Sequence, residues 1–225
     1  MKFISRLVTT CLVLLACHQI ELQATSQSIE FIETTLDNGL RIVVAEDHVA
    51  PVVSIAVNYE VGSRDERRGR TGFAHLFEHM MFEGSENVGD GEHVLLIGNN
   101  GGDVNGTTNK DRTIYFERMP SNQLDLALFL EADRMASLAI TQENLDNQRQ
   151  AVQEERRLRI DNQPYGHVFE VVDELAYTNF AYAHSVIGSM TDLSAATITD
   201  VASCFRTYYA PNNAVLAIVG NVDAE

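Results

Sequence analysis

The stretch "FIETTLDNGLRIVVAEDHVAPVVSIAVNYEVGS", residues 31–63, predicts how the fold begins. Two strand-like segments flank Asn38-Gly39, and this dipeptide is a strong signal for a tight hairpin turn. Residues 51–63 predict a third strand, which is apolar at nearly every position, as expected of a strand covered on both faces. The fold is therefore predicted to open with an antiparallel hairpin followed by a buried strand.

The rest of the chain mixes predicted helices and strands. Apolar residues at helical spacing predict helices at residues 72–84, 122–138, 142–160, 168–177 and 198–210, with Thr71 and Thr141 as candidate N-caps. Strands are predicted at residues 112–119 and 213–220, and the Gly- and Asn-rich residues 98–111 are predicted to form a loop. A hairpin followed by this mixed order predicts an α+β fold, with a largely antiparallel sheet packed with helices.

Length, composition and charge limit the function classes. The chain has 225 residues, of which 45% are hydrophobic, so it can form one large domain or one and a half with a substantial core. Its formal net charge is −16. Because binding to nucleic-acid phosphates needs a basic face, this charge argues against nucleic acid as a partner.

The first 17 residues, "MKFISRLVTTCLVLLAC", predict an export signal, since two basic residues precede a short apolar run. The sequence contains two alternative sites at which this signal could be cleaved. "LLAC" resembles a bacterial lipobox, which would end a lipoprotein signal at residues 1–16 and leave Cys17 lipidated and anchored to the membrane. Cleavage after Ala24 would instead remove a plain signal peptide, residues 1–24. Either route predicts a bacterial periplasmic protein or an envelope lipoprotein.

The stretch "GFAHLFEHMMFEG", residues 72–84, carries a candidate metal site. On a helix, residues four apart lie about 40° apart around the axis, so His75 and His79 point the same way and can reach one ion. Glu78 leans to the same side without needing to be a ligand, and it can take a proton from water activated by that ion. The pattern H-x-x-E-H is the inverted form of a common zinc-protease motif.

The alternative is that these three residues are ordinary polar residues on the solvent-exposed face of a helix. The apolar flanks favour a buried helix, where unpaired charge is costly and a metal ion would supply a partner. Two histidines are too few for tight zinc binding, so a third ligand is needed. Glu154 and Glu155 on the next long polar helix are candidates that spacing does not separate, and both could equally belong to a solvated face with nearby arginines.

Four motifs in order resemble peptidase family M16, the group that includes pitrilysin, insulin-degrading enzyme and mitochondrial processing peptidase. Besides the helix at residues 72–84, these are the opening strands at 35–66, "GGDVNGTTNKDRTIYFERMP" at 101–120 and "NQRQAVQEERRLRIDNQPYG" at 147–166. The similarity covers about residues 30 to 225. It implies the N-terminal zinc-binding domain of this family, with its α+β, LuxS/metallohydrolase-like fold.

The resemblance also implies roles for individual residues. His75 and His79 correspond to ligands of one Zn²⁺ ion, and Glu78 corresponds to the general base. The family's third ligand follows another glutamate by seven residues, which here selects Glu155, while that other position holds Gln148. An amide there brings no charge, so it is expected to weaken activity without abolishing it, if the position orients or tunes the zinc site. Asn105 matches the family's asparagine near bound substrate, although it could be a plain loop residue.

The resemblance further predicts the domain organisation. Residues 30–190 are expected to form the zinc-binding domain, and 191–225 the start of a truncated C-terminal domain. Family chains carry at least one further domain of similar size, and the peptide is enclosed between two halves. The chain is therefore expected to be a fragment or one half of a two-chain enzyme, completed by a C-terminal half in cis or in trans.

The predicted function is that of a zinc metalloendopeptidase, which hydrolyses bonds in peptides or unfolded proteins held in extended form against a sheet edge. The alternative is a non-catalytic partner subunit, a kind that the family also contains. Such subunits usually lose the H-x-x-E-H residues, which this chain keeps. The histidines outside the motif are expected at the surface or near the signal and are given no role: His18, His48, His93, His167 and His184.

Overall fold

The computed structural model describes residues 28–224, and the chain from Phe31 onward forms one compact unit. The described residues contain six strands: β1 (Ile32–Thr35), β2 (Arg41–Glu46), β3 (Val52–Tyr59), β4 (Asp103–Thr108), β5 (Thr113–Pro120) and β6 (Ala214–Gly220). They also contain seven α-helices: α1 (Phe73–Met80), α2 (Glu92–Asn99), α3 (Leu124–Ser137), α4 (Gln142–Arg156), α5 (Val168–Ala176), α6 (Met190–Ser194) and α7 (Ile198–Tyr208).

The predicted export signal, in either form, lies outside the described residues. Cys17 does so as well, so its predicted lipidation has no structural counterpart here. Within residues 28–224, every helix is too short or too polar to cross a membrane.

The six strands form one sheet in the order β1-β2-β6-β3-β5-β4. All neighbouring pairs are antiparallel except β2 and β6, which run parallel. The predicted α+β class with a largely antiparallel sheet is therefore confirmed. The opening hairpin is also confirmed, since β1 pairs with β2 around the turn at Asn38-Gly39.

The core lies on one face of the sheet, where the helices pack. Strand β3 shows this clearly, because its residues alternate between buried positions and positions that are partly or fully exposed. The buried residues of β3 are Val53, Ile55, Val57 and Tyr59, and its outward-facing residues are Val52, Ser54, Ala56 and Asn58. The expectation that this strand is covered on both faces is therefore wrong for the described residues. Ser54 and Asn58 alternate with the buried positions, which is the pattern of an antiparallel strand with one open face.

Strand β6 joins two parts of the sheet that are distant in sequence. It runs parallel to β2 on one side and antiparallel to β3 on the other, so it lies inside the sheet. Strands β2 and β3 do not pair with each other, and the segment after residue 190 supplies the strand that bridges them. The expected division into residues 30–190 and 191–225 stays a prediction.

The Gly- and Asn-rich stretch at residues 98–111 is not the predicted loop. It contains the end of α2 and the whole of β4, which pairs antiparallel with β5 and forms an edge of the sheet. Glycine and asparagine weaken a strand in isolation, but pairing with the regular strand β5 overrides this local preference.

Candidate active site

Helix α1 is fixed at its N-terminus by a carboxylate from outside the helix. Oxygens of Glu66 accept hydrogen bonds from the backbone N–H groups of Gly72, at 3.0 Å, and Ala74, at 2.8 Å. His184 lies against the same carboxylate, with its Nε2 3.0 Å from Glu66 Oε2. A negative group at a helix N-terminus also interacts favourably with the helix dipole. Glu66, with His184 beside it, thereby anchors the helix that carries the H-x-x-E-H motif.

Two expectations about this region are wrong. Thr71 does not cap α1, because its hydroxyl donates to Asp192 Oδ2 and Gly72 occupies the N-cap position with a left-handed backbone, φ 85°. His184 is not a surface histidine, since its side chain is largely buried against Glu66. Sequence analysis missed Glu66 because it precedes the helix by a charged loop that carries no capping pattern.

Helix α1 packs against α4, and this contact brings three predicted ligands together. Glu155 Oε2 lies 3.6 Å from His75 Nε2 and 3.3 Å from His79 Nε2, and the ligand atoms of all three residues lie within 4.8 Å of one another. Two ligands of a tetrahedral zinc ion, each at about 2.0–2.1 Å, stand roughly 3.3 Å apart. In the triangle formed by His75, His79 and Glu155, the two sides that meet at Glu155 therefore have about the length that one zinc ion requires.

The protonation of two members of the triangle, His75 and Glu155, suits a metal ion. Burial lowers the pKa of His75 to about 4, so its imidazole is neutral at pH 7. Contact with His79 holds the pKa of the Glu155 carboxyl below its usual value, so this group is ionised. The pKa of His79 is instead raised above its usual value, because its contacts with Glu155 and Gln148 outweigh the opposing effect of burial, so a metal ion would displace a proton there. Two histidines and one carboxylate are a common donor set for catalytic zinc, so the residues present fit the ion.

The structure separates the two glutamates that spacing left open. The Glu155 side chain is 18% exposed and faces the two histidines, while its Oε1 pairs with Arg159 at 2.6 Å. The Glu154 side chain is 57% exposed and pairs with Arg157 on the helix surface at 3.0 Å. Adjacent residues on a helix differ by about 100° in direction, which explains why only one of them faces the triangle.

Glu78 lies beside the triangle and is held by the edge strand β4. Thr108 Oγ1 donates a hydrogen bond of 2.6 Å to Glu78 Oε2, and burial raises the pKa of the carboxyl above its usual value. Gly106 leaves room for this side chain, because a Cβ there would come within 3.0 Å of Glu78 Cγ. A raised pKa is useful for a group that accepts and returns a proton. Thr108 was missed by sequence analysis, since it lay in the stretch predicted to be a loop.

Gln148 contacts the triangle through His79. Its Oε1 lies 3.1 Å from His79 Nδ1, and its Nε2 donates a hydrogen bond of 2.6 Å to Glu83 Oε1. With the Nδ1 proton donated to the amide oxygen, the lone pair of Nε2 is left to face Glu155. Glu83, which has a carboxyl group where Gln148 has an amide, thus lies one hydrogen bond further from the histidine. Burial raises the pKa of Glu83 to about 7.

We expect Gln148→Leu to lower zinc affinity by about 10- to 100-fold, the usual effect of removing a partner that orients a metal-binding histidine. Gln148→Glu should keep affinity close to that of the wild type, because a carboxylate can still accept from His79 Nδ1. Competition with a zinc chelator measures both values. Equal losses in the two variants would show that the amide acts through its link to Glu83 instead.

Asn105 is not brought into the triangle. It lies in β4 with its side chain exposed on the open sheet face, and its Oδ1 accepts from the N–H of Gly106 at 2.8 Å. Residues alternate along a strand, so Gly106 and Thr108 face the helices whereas Asn105 faces away from them. The substrate-binding role predicted for Asn105 stays a prediction, and its place on the edge strand is the structural fact that bears on it.

A second group of titratable side chains is buried under the sheet and differs from the triangle. His93 Nε2 lies 3.7 Å from Glu117 Oε2, and Glu131 pairs with Arg134. Burial lowers the pKa of His93 to about 4 and raises that of Glu117 to about 7. The fixed guanidinium charge disfavours a metal cation here. His93 is therefore part of the buried core, contrary to the expectation of a surface position.

Comparison with known proteins identifies the family. The family model described as "Insulinase (Peptidase family M16)" matches residues 41–190, which is more than half of the chain. The chain belongs to peptidase family M16. A second M16 model, described as "Peptidase M16 inactive domain", matches residues 195–225. The two models thus meet inside the single compact unit that contains β6.

Named M16 relatives are zinc proteases and processing peptidases. The chain is 34% identical over 223 residues to "Zinc protease PqqE" of Helicobacter pylori, covering 99% of this chain and 50% of the relative. It is 27% identical over 189 residues to the beta subunit of the mitochondrial-processing peptidase of Bos taurus, covering 84% of this chain and 38% of that one. The chain thus spans about half or less of the length of these curated relatives.

Solved structures of M16 proteins share the fold. A protease from Helicobacter pylori superposes with a TM-score of 0.84 at 35% identity, covering 88% of this chain and 48% of that one. The first half of the periplasmic protease PqqL from Escherichia coli superposes with a TM-score of 0.77 at 24% identity, covering 86% and 43%. The predicted M16 fold is therefore confirmed, and the chain is a member of a metallopeptidase family.

Proposed function

We propose that this chain is the catalytic part of a zinc-dependent endopeptidase, with His75, His79 and Glu155 as ligands of one Zn²⁺ ion. The observation that carries the proposal is the triangle of ligand atoms, whose 3.3 and 3.6 Å sides match the spacing of tetrahedral zinc ligands. Membership in a family of zinc proteases supports the choice of metal.

A zinc ion held there would polarise the scissile carbonyl and lower the pKa of a bound water to about 7. The Glu78 carboxylate would accept the proton of the attacking water and return it to the leaving amine. Thr108 supports this role because it holds one carboxylate oxygen, which limits the orientations of the other. Gln148 would keep His79 in the required tautomer by accepting a hydrogen bond from its Nδ1. Glu83 would hold the Gln148 amide in position by accepting a hydrogen bond from its Nε2.

The substrate would be a peptide or an unfolded protein segment in an extended conformation. Strand β4 is at the edge of the sheet and packs against α1, so a peptide added to this edge would pass beside Glu78. Addition of a strand to a free edge is a recurrent mode of peptide recognition. In this arrangement Asn105, on the same edge strand, would help to position the substrate.

The complete active site would need a second M16 half, in cis or in trans. M16 proteins act with such a second half or subunit, as the names "first half" of PqqL and "subunit beta" of the mitochondrial-processing peptidase indicate. Residues 195–225 match the second M16 model, which supports the same proposal.

The test is to combine residues 25–225 with a matching C-terminal half, measure zinc by elemental analysis and follow cleavage of a quenched fluorescent peptide. We expect one zinc ion per chain and metal-dependent cleavage. A wild-type protein without zinc would contradict the proposal. Zinc binding without cleavage, in the presence of the second half, would favour the non-catalytic partner subunit.

We also propose export, with a signal at residues 1–24 or a lipoprotein signal at residues 1–16. The basic and apolar pattern of the first 17 residues supports this proposal, which would place the protein in the periplasm or on the envelope membrane. Mass spectrometry of the mature protein should find Thr25 as the first residue, or a lipid-modified Cys17. An unprocessed Met1 in the mature protein would contradict both forms.

A further inference from the structure

The two carboxylate oxygens of Glu155 have different neighbours. Oε2 is turned inward, 3.3 Å from His79 Nε2 and 3.6 Å from His75 Nε2. Oε1 is turned the other way and forms an ion pair of 2.6 Å with Arg159 Nη1. Opposite charges this close attract strongly, so the guanidinium favours the orientation in which Oε1 faces it. Only one oxygen of this carboxylate therefore faces the two histidines.

The segment that carries Arg159 is held in place by the core. It is a π-helical turn, Arg157–Asp161, which follows α4 directly, and such turns are frequent at functional sites. Ile160 packs against the hydrophobic core, and Asp161 pairs with Arg156 at 3.4 Å. Among residues 28–224, Arg159 has no ion-pair partner other than the carboxylate of the candidate ligand. Its side chain is thus directed to the triangle by a fixed backbone.

Folding stability does not explain this ion pair well. The Arg159 side chain is 74% exposed, and ion pairs with an exposed member contribute little to stability. The neighbouring pair of Arg157 with Glu154, at 3.0 Å, is an ordinary surface pair in which both side chains are exposed. The Arg159 pair differs because its carboxylate is only 18% exposed and also faces the two histidines. Its effect is therefore on the direction of that carboxylate.

The number of oxygens that Glu155 offers matters for the proposed zinc site. A catalytic zinc ion has three protein ligands and keeps a further position for water or substrate. If the carboxylate bound through both oxygens, the second oxygen would compete for that position. A cavity of about 410 Å³, lined in part by His75, Glu155 and Arg159, opens beside the triangle, so water can reach it. An ion pair that holds Oε1 away from the histidines would keep this position available.

We propose that Arg159 is a positioning residue, which holds Oε1 of Glu155 and thereby limits this ligand to one oxygen. The inference rests on the proposed function and deepens it, since it concerns the same candidate zinc site. Arg159 touches neither the ion nor the scissile bond in this arrangement and acts through the carboxylate alone. Without the guanidinium, Oε1 would be free to turn toward the ion.

The test uses residues 25–225 combined with the matching C-terminal half and loaded with cobalt(II) instead of zinc. Cobalt(II) absorbs visible light more strongly in a four-coordinate than in a five-coordinate site, so its spectrum reports the coordination geometry. We expect a four-coordinate spectrum for the wild type and a weaker, five-coordinate spectrum for Arg159→Met. Arg159→Lys should keep the wild-type spectrum, because an ammonium can still pair with Oε1. Arg157→Met, which breaks the surface pair with Glu154, is the matched control.

Cleavage of a quenched fluorescent peptide by the zinc-loaded variants is a separate measurement. We expect Arg159→Met to lower kcat about tenfold with little change in KM, and to leave the urea midpoint of unfolding unchanged. Equal spectra for the wild type and Arg159→Met, with cobalt bound to both, would overturn the inference, and so would an equal change in Arg157→Met. The expected spectral change without any cleavage supports the inference and contradicts only the peptidase function. A wild type that binds neither metal would contradict the proposed function, and this inference with it.

Discussion

Replacement of Glu78 by glutamine is expected to reduce turnover by about 100- to 10,000-fold while zinc remains bound. An amide of nearly the same shape can still accept the hydrogen bond that Thr108 donates, so the position of the side chain is kept. The amide cannot take a proton from the attacking water, and the raised pKa that burial gives to Glu78 is lost with the carboxylate. Peptide cleavage and elemental analysis of zinc measure the two outcomes.

The control for this variant is Glu154→Gln, which removes a carboxylate from an exposed ion pair with Arg157. It should leave both zinc content and turnover close to those of the wild type. Turnover of Glu78→Gln within tenfold of the wild type would contradict its role as general base. Loss of zinc from Glu78→Gln would instead indicate that this carboxylate is a ligand.

Replacement of Glu155 by glutamine should abolish stable zinc binding. Glu155 is the anionic member of the triangle, and its Oε2 lies 3.3 Å from His79 Nε2 and 3.6 Å from His75 Nε2. A neutral amide oxygen is a weaker ligand than a carboxylate. The fall in affinity should therefore exceed the ~10- to 100-fold loss that follows removal of a group which only orients a ligand.

Glu154→Gln is again the matched control, since it makes the same chemical change one residue away on the same helix. Affinity can be determined by competition with a chelator, and circular dichroism would verify that both variants keep their helices. If Glu154→Gln lost the metal and Glu155→Gln kept it, the assignment of the third ligand would be wrong by one residue.

The sequence predicted the elements with strong local patterns. The hairpin around Asn38-Gly39 follows from turn chemistry, and Thr141 caps α4 as expected by accepting a hydrogen bond from the N–H of Asn144. The local patterns do not predict the short helices α2 and α6, and they predict a loop where the structure has β4. These elements depend on pairing and packing with distant segments, so a local pattern contains little information about them.

For the candidate site, helical periodicity was enough to predict that His75 and His79 share one helix face, because residues four apart differ by only about 40° in direction. It also determined that a glutamate stands between them on the same side. The resemblance to M16 peptidases then supplied the preference for Glu155.

The other groups that meet this helix face are brought there by the packing of distant segments. The packing of α4 against α1 turned Glu155 inward and Glu154 outward, and the pairing of β4 with β5 brought Thr108 to Glu78. The Gln148–Glu83 hydrogen bond has the same origin. Helical periodicity is a property of neighbouring residues, whereas contacts between segments 30 to 80 residues apart arise only when the sheet and its helices pack together.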